Sequence, residues 1–228
     1  MPITSRWPYC LALLLGYLYI ALIPFQPYPL SWLLKPLPML LFAWLVWRAH
    51  PGAAGCWLGL GFVAAAAGDF FLDYGNRDGL FIQALLAFLV NQLAFVVGFL
   101  LLGRGRSWRW LWSLPVIAYA IGMTLWMLPG TGALQVPVAF YFACLLAMAL
   151  SAARVEQRPG PLWLGAMLFV IADSLIGVNK FIQPFPHAVL VIVSCYFTGQ
   201  ALIAWGLLRL RGVVATVATN PATAGPAA

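Results

Sequence analysis

Residues 161–182 read PLWLGAMLFVIADSLIGVNKFI. A helix needs about 20 predominantly apolar residues to cross the hydrocarbon core of a bilayer. This stretch supplies them, with one acid, Asp173, in its middle and one base, Lys180, near its end. An ionisable residue inside a span is costly to keep and by default marks a functional position. The stretch is therefore expected to be a transmembrane helix that carries chemistry.

The rest of the chain fits the same solvent. Hydrophobic residues make up 64% of the 228 and charged residues 7%, where a soluble domain carries about 25% charge. Loops with Pro, Gly or charge divide the sequence into eight apolar stretches, at 8–24, 30–48, 54–72, 79–101, 108–127, 134–152, 161–182 and 187–209. The expected fold class is all-α: a polytopic integral membrane protein with eight transmembrane helices in one bundle. Residues 1–211 form that single domain, and the small, polar, proline-containing tail 212–228 is expected to be disordered. The first stretch, Cys10 to Ile23, is read as a retained helix, because Pro24, Phe25 and Gln26 follow it in place of a cleavage site.

Charge and cysteine usage exclude several functions. The net charge of +7 comes from short basic clusters between apolar runs, not from a basic stripe or arm, so nucleic acid is not the expected partner. Cys10, Cys56, Cys144 and Cys195 stand singly, and the histidines are His50 and His187. No zinc-ligand spacing exists, and neither a metal nor another cofactor is expected.

Positive charge in alternate loops sets orientation. One side receives Arg6, Arg48, Arg104, Arg106, Arg109, Arg154, Arg158, Arg209 and Arg211, and the other only Arg77. Both termini are thus expected in the cytoplasm, and the expected location is a bacterial inner (plasma) membrane. With that topology the polar residues can be placed in depth. At 1.5 Å per residue, Lys35 lies about 7 Å and Asp69 about 5 Å inside the outer rim, and Asp173 about 13 Å, with Lys180 near the rim. Asn179, Tyr141, Tyr196, Gln200, Asn91 and Gln92 fall in the same outer half. Positions 173, 176 and 180 follow i, i+3, i+7 and share one helix face.

Each residue also has a plain structural reading. Lys35 and Lys180 can snorkel to headgroups. Asp69 and Asp73 can cap the third span or balance Arg77, and Tyr141 and Tyr196 can belong to an interfacial belt. Asp73 and Asp78 are read as loop residues. Asp173, in mid-span with no charge beside it in sequence, is the hardest to explain structurally.

The segment Gly165 to Phe181 resembles the signature helix of the YhhN-like family of membrane lysoplasmalogenases. Lys35 to Met39 opening the second span, Gly68 to Leu72 closing the third, Tyr141 and Met148 on the sixth, and Tyr196 with Gln200 on the last fit the same family. The resemblance spans the second to eighth helices in order. It departs on the fourth, where the family has a histidine followed by a tyrosine and this chain has Asn91 and Phe95. The resemblance implies cleavage of the vinyl ether bond of a lysoplasmalogen to a fatty aldehyde and glycerophosphoethanolamine or glycerophosphocholine. The expected partner is thus a lysophospholipid within the membrane.

Vinyl ether hydrolysis needs one carboxyl to deliver a proton and one carboxylate to stabilise an oxocarbenium ion and activate water. Asp69 and Asp173 are the two intramembrane carboxyls available, and are the expected catalytic pair. Asp173, the deeper one, is read as the acid, with the two roles open to exchange. Lys35 and Lys180 are expected to hold the lipid phosphate, while Asn179, Tyr141, Tyr196 and Gln200 bind substrate or position water. Without the resemblance, the same features also suit a small proton-coupled carrier or a lipid-binding membrane protein without turnover.

Overall fold

The computed structural model describes residues 7–75, 79–103, 110–155 and 160–219, with 110–112 and 211–219 as backbone only. Arg6, Arg77, Asp78, Arg104, Arg106, Arg109 and Arg158 lie outside these residues, as does the Arg211 side chain. Among the described residues every regular element is helical: α1 (Trp7–Leu22), α2 (Ser31–Leu34), α3 (Leu37–Ala49), α4 (Ala53–Tyr74), α5 (Phe81–Leu102), α6 (Trp110–Met127), α7 (Gln135–Val155), α8 (Pro161–Gly177) and α9 (Ala188–Thr219). Backbone polar groups find no partners in lipid, so a chain this apolar must bond them within helices.

Seven helical segments of the described chain are long and apolar enough to cross a membrane. The remaining expected span, 30–48, is interrupted. It is made of α2 and α3, joined through Lys35 and Pro36, both of which keep right-handed helical backbone angles. Pro36 and Pro38 carry no N–H to donate to the preceding turn, which explains the break. The helix at 161–182 ends differently, in a π-helical turn, Val178–Ile182, where the amide of Gln183 donates to the carbonyl of Val178 at 2.9 Å. α9 continues past Gly212 to Thr219, into the segment expected to be disordered, and Pro221 is the next residue that cannot donate.

Packing follows side-chain size. α8 and α9 run against each other at Gly165 and Gly199: a Cβ at Gly199 would sit 2.9 Å from the carbonyl oxygen of Gly165. Small residues let membrane helices approach backbone to backbone where no hydrophobic drive pulls them together. Phe62, Phe95, Leu145, Met148, Phe169 and Ile203 fill the interior. Leu14, Leu86, Leu125 and Phe140 are exposed and turned outward, where lipid is the solvent. The ends of α4 and α8 and the beginnings of α5 and α9 converge at one end of the bundle, and the site lies there.

Candidate active site

Asp69 sits on the last turns of α4 and Asp173 on the last turns of α8. Asp69 is 1% exposed and Asp173 5%. Each carboxyl has its own set of partners. Lys35 Nζ lies 3.5 Å from Asp69 Oδ1, and the Tyr196 hydroxyl donates to Asp69 Oδ2 at 2.8 Å. On Asp173, both donors fall on Oδ2: the Tyr141 hydroxyl at 2.5 Å and Gln92 Nε2 at 3.2 Å. Asp69 is thus held by a cation and a hydroxyl, and Asp173 by two neutral groups. Charge-assisted bonds are the stronger kind, so the two carboxyls are not equivalent.

Both open onto a cavity of about 230 Å³ whose polar wall includes Lys35, Asp69, Asp173, Asn179, Lys180 and Tyr196. Ile176 shares that wall with Asp173 and Lys180, as the 173, 176, 180 spacing expects. A smaller pocket of about 40 Å³ adjoins it, with Asp173 and Tyr141 in its lining. Lys180 stands exposed on the larger cavity, its amine 5.2 Å from the centre of the Phe81 ring. Asn179 Oδ1 accepts the amide of Phe185 at 3.3 Å, which steadies the turn after the π-helical segment. Gln200, fully buried one turn below Tyr196, lines neither space, and its amide oxygen and nitrogen find no protein partner.

Several plain readings do not survive this geometry. Lys35 does not snorkel, being 5% exposed and paired with Asp69. Tyr141 and Tyr196 are buried and bonded to carboxyls, and so are not belt residues. Asp73 is not in a loop: α4 runs on to Tyr74, and Asp73 Oδ1 accepts the Tyr19 hydroxyl at 2.6 Å. Tyr19 in turn accepts from Gln26 at 2.9 Å and lines the cavity beneath Lys35, whose amine is 5.8 Å from its ring centre.

Sequence reasoning gave no role to Tyr19 or Gln92. Gln92 stands next to Asn91, and adjacent helical residues point in different directions. The structure turns Gln92 to Asp173 and Asn91 to α4, where its Nδ2 donates to the Gly61 carbonyl at 2.8 Å. Phe95 packs its ring edge-on to Phe62 at 5.0 Å. Asn91 and Phe95 therefore join α5 to α4, and neither lines the cavity. The histidines are equally remote in role: the His50 ring bonds the Leu207 carbonyl at 2.9 Å, and His187 is exposed at the start of α9. Among the described residues no group of three or more His, Cys, Asp or Glu side chains is arranged to hold a metal.

Comparison with known proteins bears on this geometry. The chain matches the YhhN family over residues 30–207. It is similar to human lysoplasmalogenase TMEM86B, 32% identical over 79% of this chain and 77% of the relative. It is also similar to bovine lysoplasmalogenase TMEM86A, 30% identical over 82% of this chain and 81% of the relative. The lysoplasmalogenase of Mycobacterium bovis is 30% identical over 72% of this chain and 66% of its own length. No solved structure matches the chain. The matched stretch contains α3 to α8 entire and every residue of the cavity wall named above except Tyr19, and the chain belongs to the YhhN family.

Proposed function

We propose that this protein is a membrane-embedded lysoplasmalogenase, hydrolysing the vinyl ether bond of lysoplasmenyl-ethanolamine or lysoplasmenyl-choline with Asp173 as acid and Asp69 as base. The observation that carries this reading is the inequality of the two carboxyls on one cavity. Asp69 faces Lys35 and is the natural holder of negative charge, while Asp173 has only neutral donors, both on Oδ2, which leaves Oδ1 to carry a proton.

The reaction then runs in three steps. Asp173 delivers its proton to the β-carbon of the alkenyl group. The double-bond electrons form that C–H bond, and the α-carbon becomes an oxocarbenium ion. A water oxygen bonds to this carbon as Asp69 removes the water's proton, giving a hemiacetal. In the last step the bond from that carbon to the glycerol oxygen breaks and Asp69 returns its proton to the glycerol oxygen. The hemiacetal hydroxyl proton passes to Asp173, and the products are an aldehyde and a glycerophospho-alcohol. Tyr196 and Tyr141 hold the two carboxyls in place, Lys180 meets the lipid phosphate at the cavity mouth, and Asn179 positions water or the glycerol hydroxyl, while Gln200, away from both spaces, has no direct part.

The low polarity around the site favours this chemistry, because fixed donors act more strongly where water is scarce. Both termini face the cytoplasm of a bacterial inner membrane, so the cavity opens towards the outer leaflet. Asp173→Asn and Asp69→Asn keep nearly the same shape and remove one proton site each. Removing a general acid or base costs about 10²–10⁴-fold, and both variants are expected to lose turnover by that order; Asp173→Asn keeps the wild-type melting profile, whereas Asp69→Asn melts lower because it leaves the buried Lys35 amine without its counter-charge. Folded variants that hydrolyse at the wild-type rate would refute the assignment.

A further inference from the structure

The two spaces beside Asp173 differ in chemistry. They share one wall, made of Leu72, Phe81, Phe88, Asp173 and Ile176. Beyond it, the larger cavity is bounded by Lys35, Asp69, Asn179, Lys180 and Tyr196. The smaller one is bounded by Ala84, Leu85, Val138, Phe142 and Gly177, with the Tyr141 hydroxyl committed to Asp173. Every charged side chain of the pair other than Asp173 lies on one side of the seam.

We propose that the smaller pocket is the subsite for the alkenyl chain, so that an amphiphile binds in two parts across Asp173, its polar head in the larger cavity and its chain between α5, α7 and α8. This rests on the lysoplasmalogenase reading and deepens it. A phosphate or ammonium placed among Ala84, Leu85, Val138 and Phe142 would lose its hydration with nothing to replace it, which is strongly unfavourable for a buried charge. A hydrocarbon chain placed there loses nothing and fills space that packing leaves open.

The direction of binding has a chemical consequence. In a vinyl ether the β-carbon lies on the chain side of the ether oxygen and the α-carbon on the head side. With the head in the larger cavity, the β-carbon comes to Asp173 at the seam and the α-carbon faces Asp69. The partition thus yields the acid and base roles without reference to either carboxyl's partners. A pocket of about 40 Å³ takes only the first carbons of the chain. The rest leaves towards lipid past the half-buried Leu85. Selectivity is therefore set near the double bond, by Ala84 and Val138.

The experiment uses the full chain in nanodiscs, with lysoplasmenyl-ethanolamine bearing a hexadecenyl chain and a short-chain analogue bearing an ethenyl group, which has no carbon beyond the double bond to enter the pocket. Ala84→Leu should lower the ratio of long-chain to short-chain kcat/KM by about tenfold, since one methylene group in an apolar pocket is worth at least that order. Val138→Ala, which widens the same pocket and removes no polar group, should raise the ratio, and it carries the test if Ala84→Leu fails to fold. An unchanged ratio in the folded variants overturns the proposal. A separate arm measures thermal stabilisation by a saturated 1-O-hexadecyl lysophospholipid, which cannot be hydrolysed by this route. Stabilisation that weakens in Ala84→Leu, with no aldehyde released by the wild type, would keep the chain subsite and discard the hydrolase reading. No stabilisation of a wild type that does release aldehyde would do the reverse.

Discussion

Lys35 and Asp69 stand 3.5 Å apart with almost no exposure, and removing either strands a charge in a low-polarity interior. Breaking a buried pair from one side costs about 3–5 kcal/mol, whereas replacing both partners by apolar groups is often nearly neutral. Lys35→Met is therefore expected to lower stability by that amount, and Lys35→Met with Asp69→Leu to recover most of it without recovering turnover. Thermal unfolding in detergent, followed beside activity, reads both effects; a single variant as stable as the wild type would contradict the pairing. The residues of this site were unevenly legible in the sequence. Asp173 was legible because mid-span charge has few structural explanations, and Lys180 because it shares Asp173's helix face. Gln92 was not, since sequence order cannot tell which of Asn91 and Gln92 faces Asp173 once α5 has rotated into its packing against α4. Tyr19 was not, because its role depends on the first helix meeting the end of α4 at Asp73.

At the scale of elements, the site depends on how closely α8 and α9 approach. Gly165 and Gly199 bring the two backbones together, which holds Asp173 and Tyr196 on one cavity. A side chain at Gly199 would meet the backbone of α8, 2.9 Å from the Gly165 carbonyl oxygen and 3.1 Å from the Phe169 amide nitrogen. Overpacking of this kind costs about 1–3 kcal/mol. Gly199→Leu is expected to reduce stability by that order and to lower turnover further than the stability loss explains, since Tyr196 shifts relative to Asp69. Activity measured well below the melting temperature separates the two; full activity there would contradict the role given to this contact. The spans themselves could be read from apolar length alone. The interruption at Lys35 and Pro36 and the π-helical turn after Gly177 could not, because both local deviations depend on what the neighbouring helices accommodate.

At the scale of the whole molecule, the described residues gather the Lys35–Asp69 pair, both carboxyl networks and the open cavity at one end, where α4 and α8 end and α5 and α9 begin. A carrier would need a polar path to both faces, whereas a hydrolase acting on membrane lipid needs access from one. The orientation of that end rests on the alternation of arginines, most of which lie outside the described residues. It predicts that a reporter fused after residue 211 is active when its activity requires the cytoplasm and silent when it requires the periplasm. The opposite pattern would place the cavity on the cytoplasmic side and leave the chemistry untouched.

The central claim, proton delivery to the β-carbon of a vinyl ether, is tested most directly by wild-type protein turning over lysoplasmenyl-ethanolamine in deuterium oxide, with the aldehyde analysed by mass spectrometry at early times. The account predicts aldehyde release with one deuterium on the carbon next to the carbonyl, and no enzymatic release from the folded Asp173→Asn variant. Aldehyde formed without that deuterium, or formed equally well by Asp173→Asn, would contradict it.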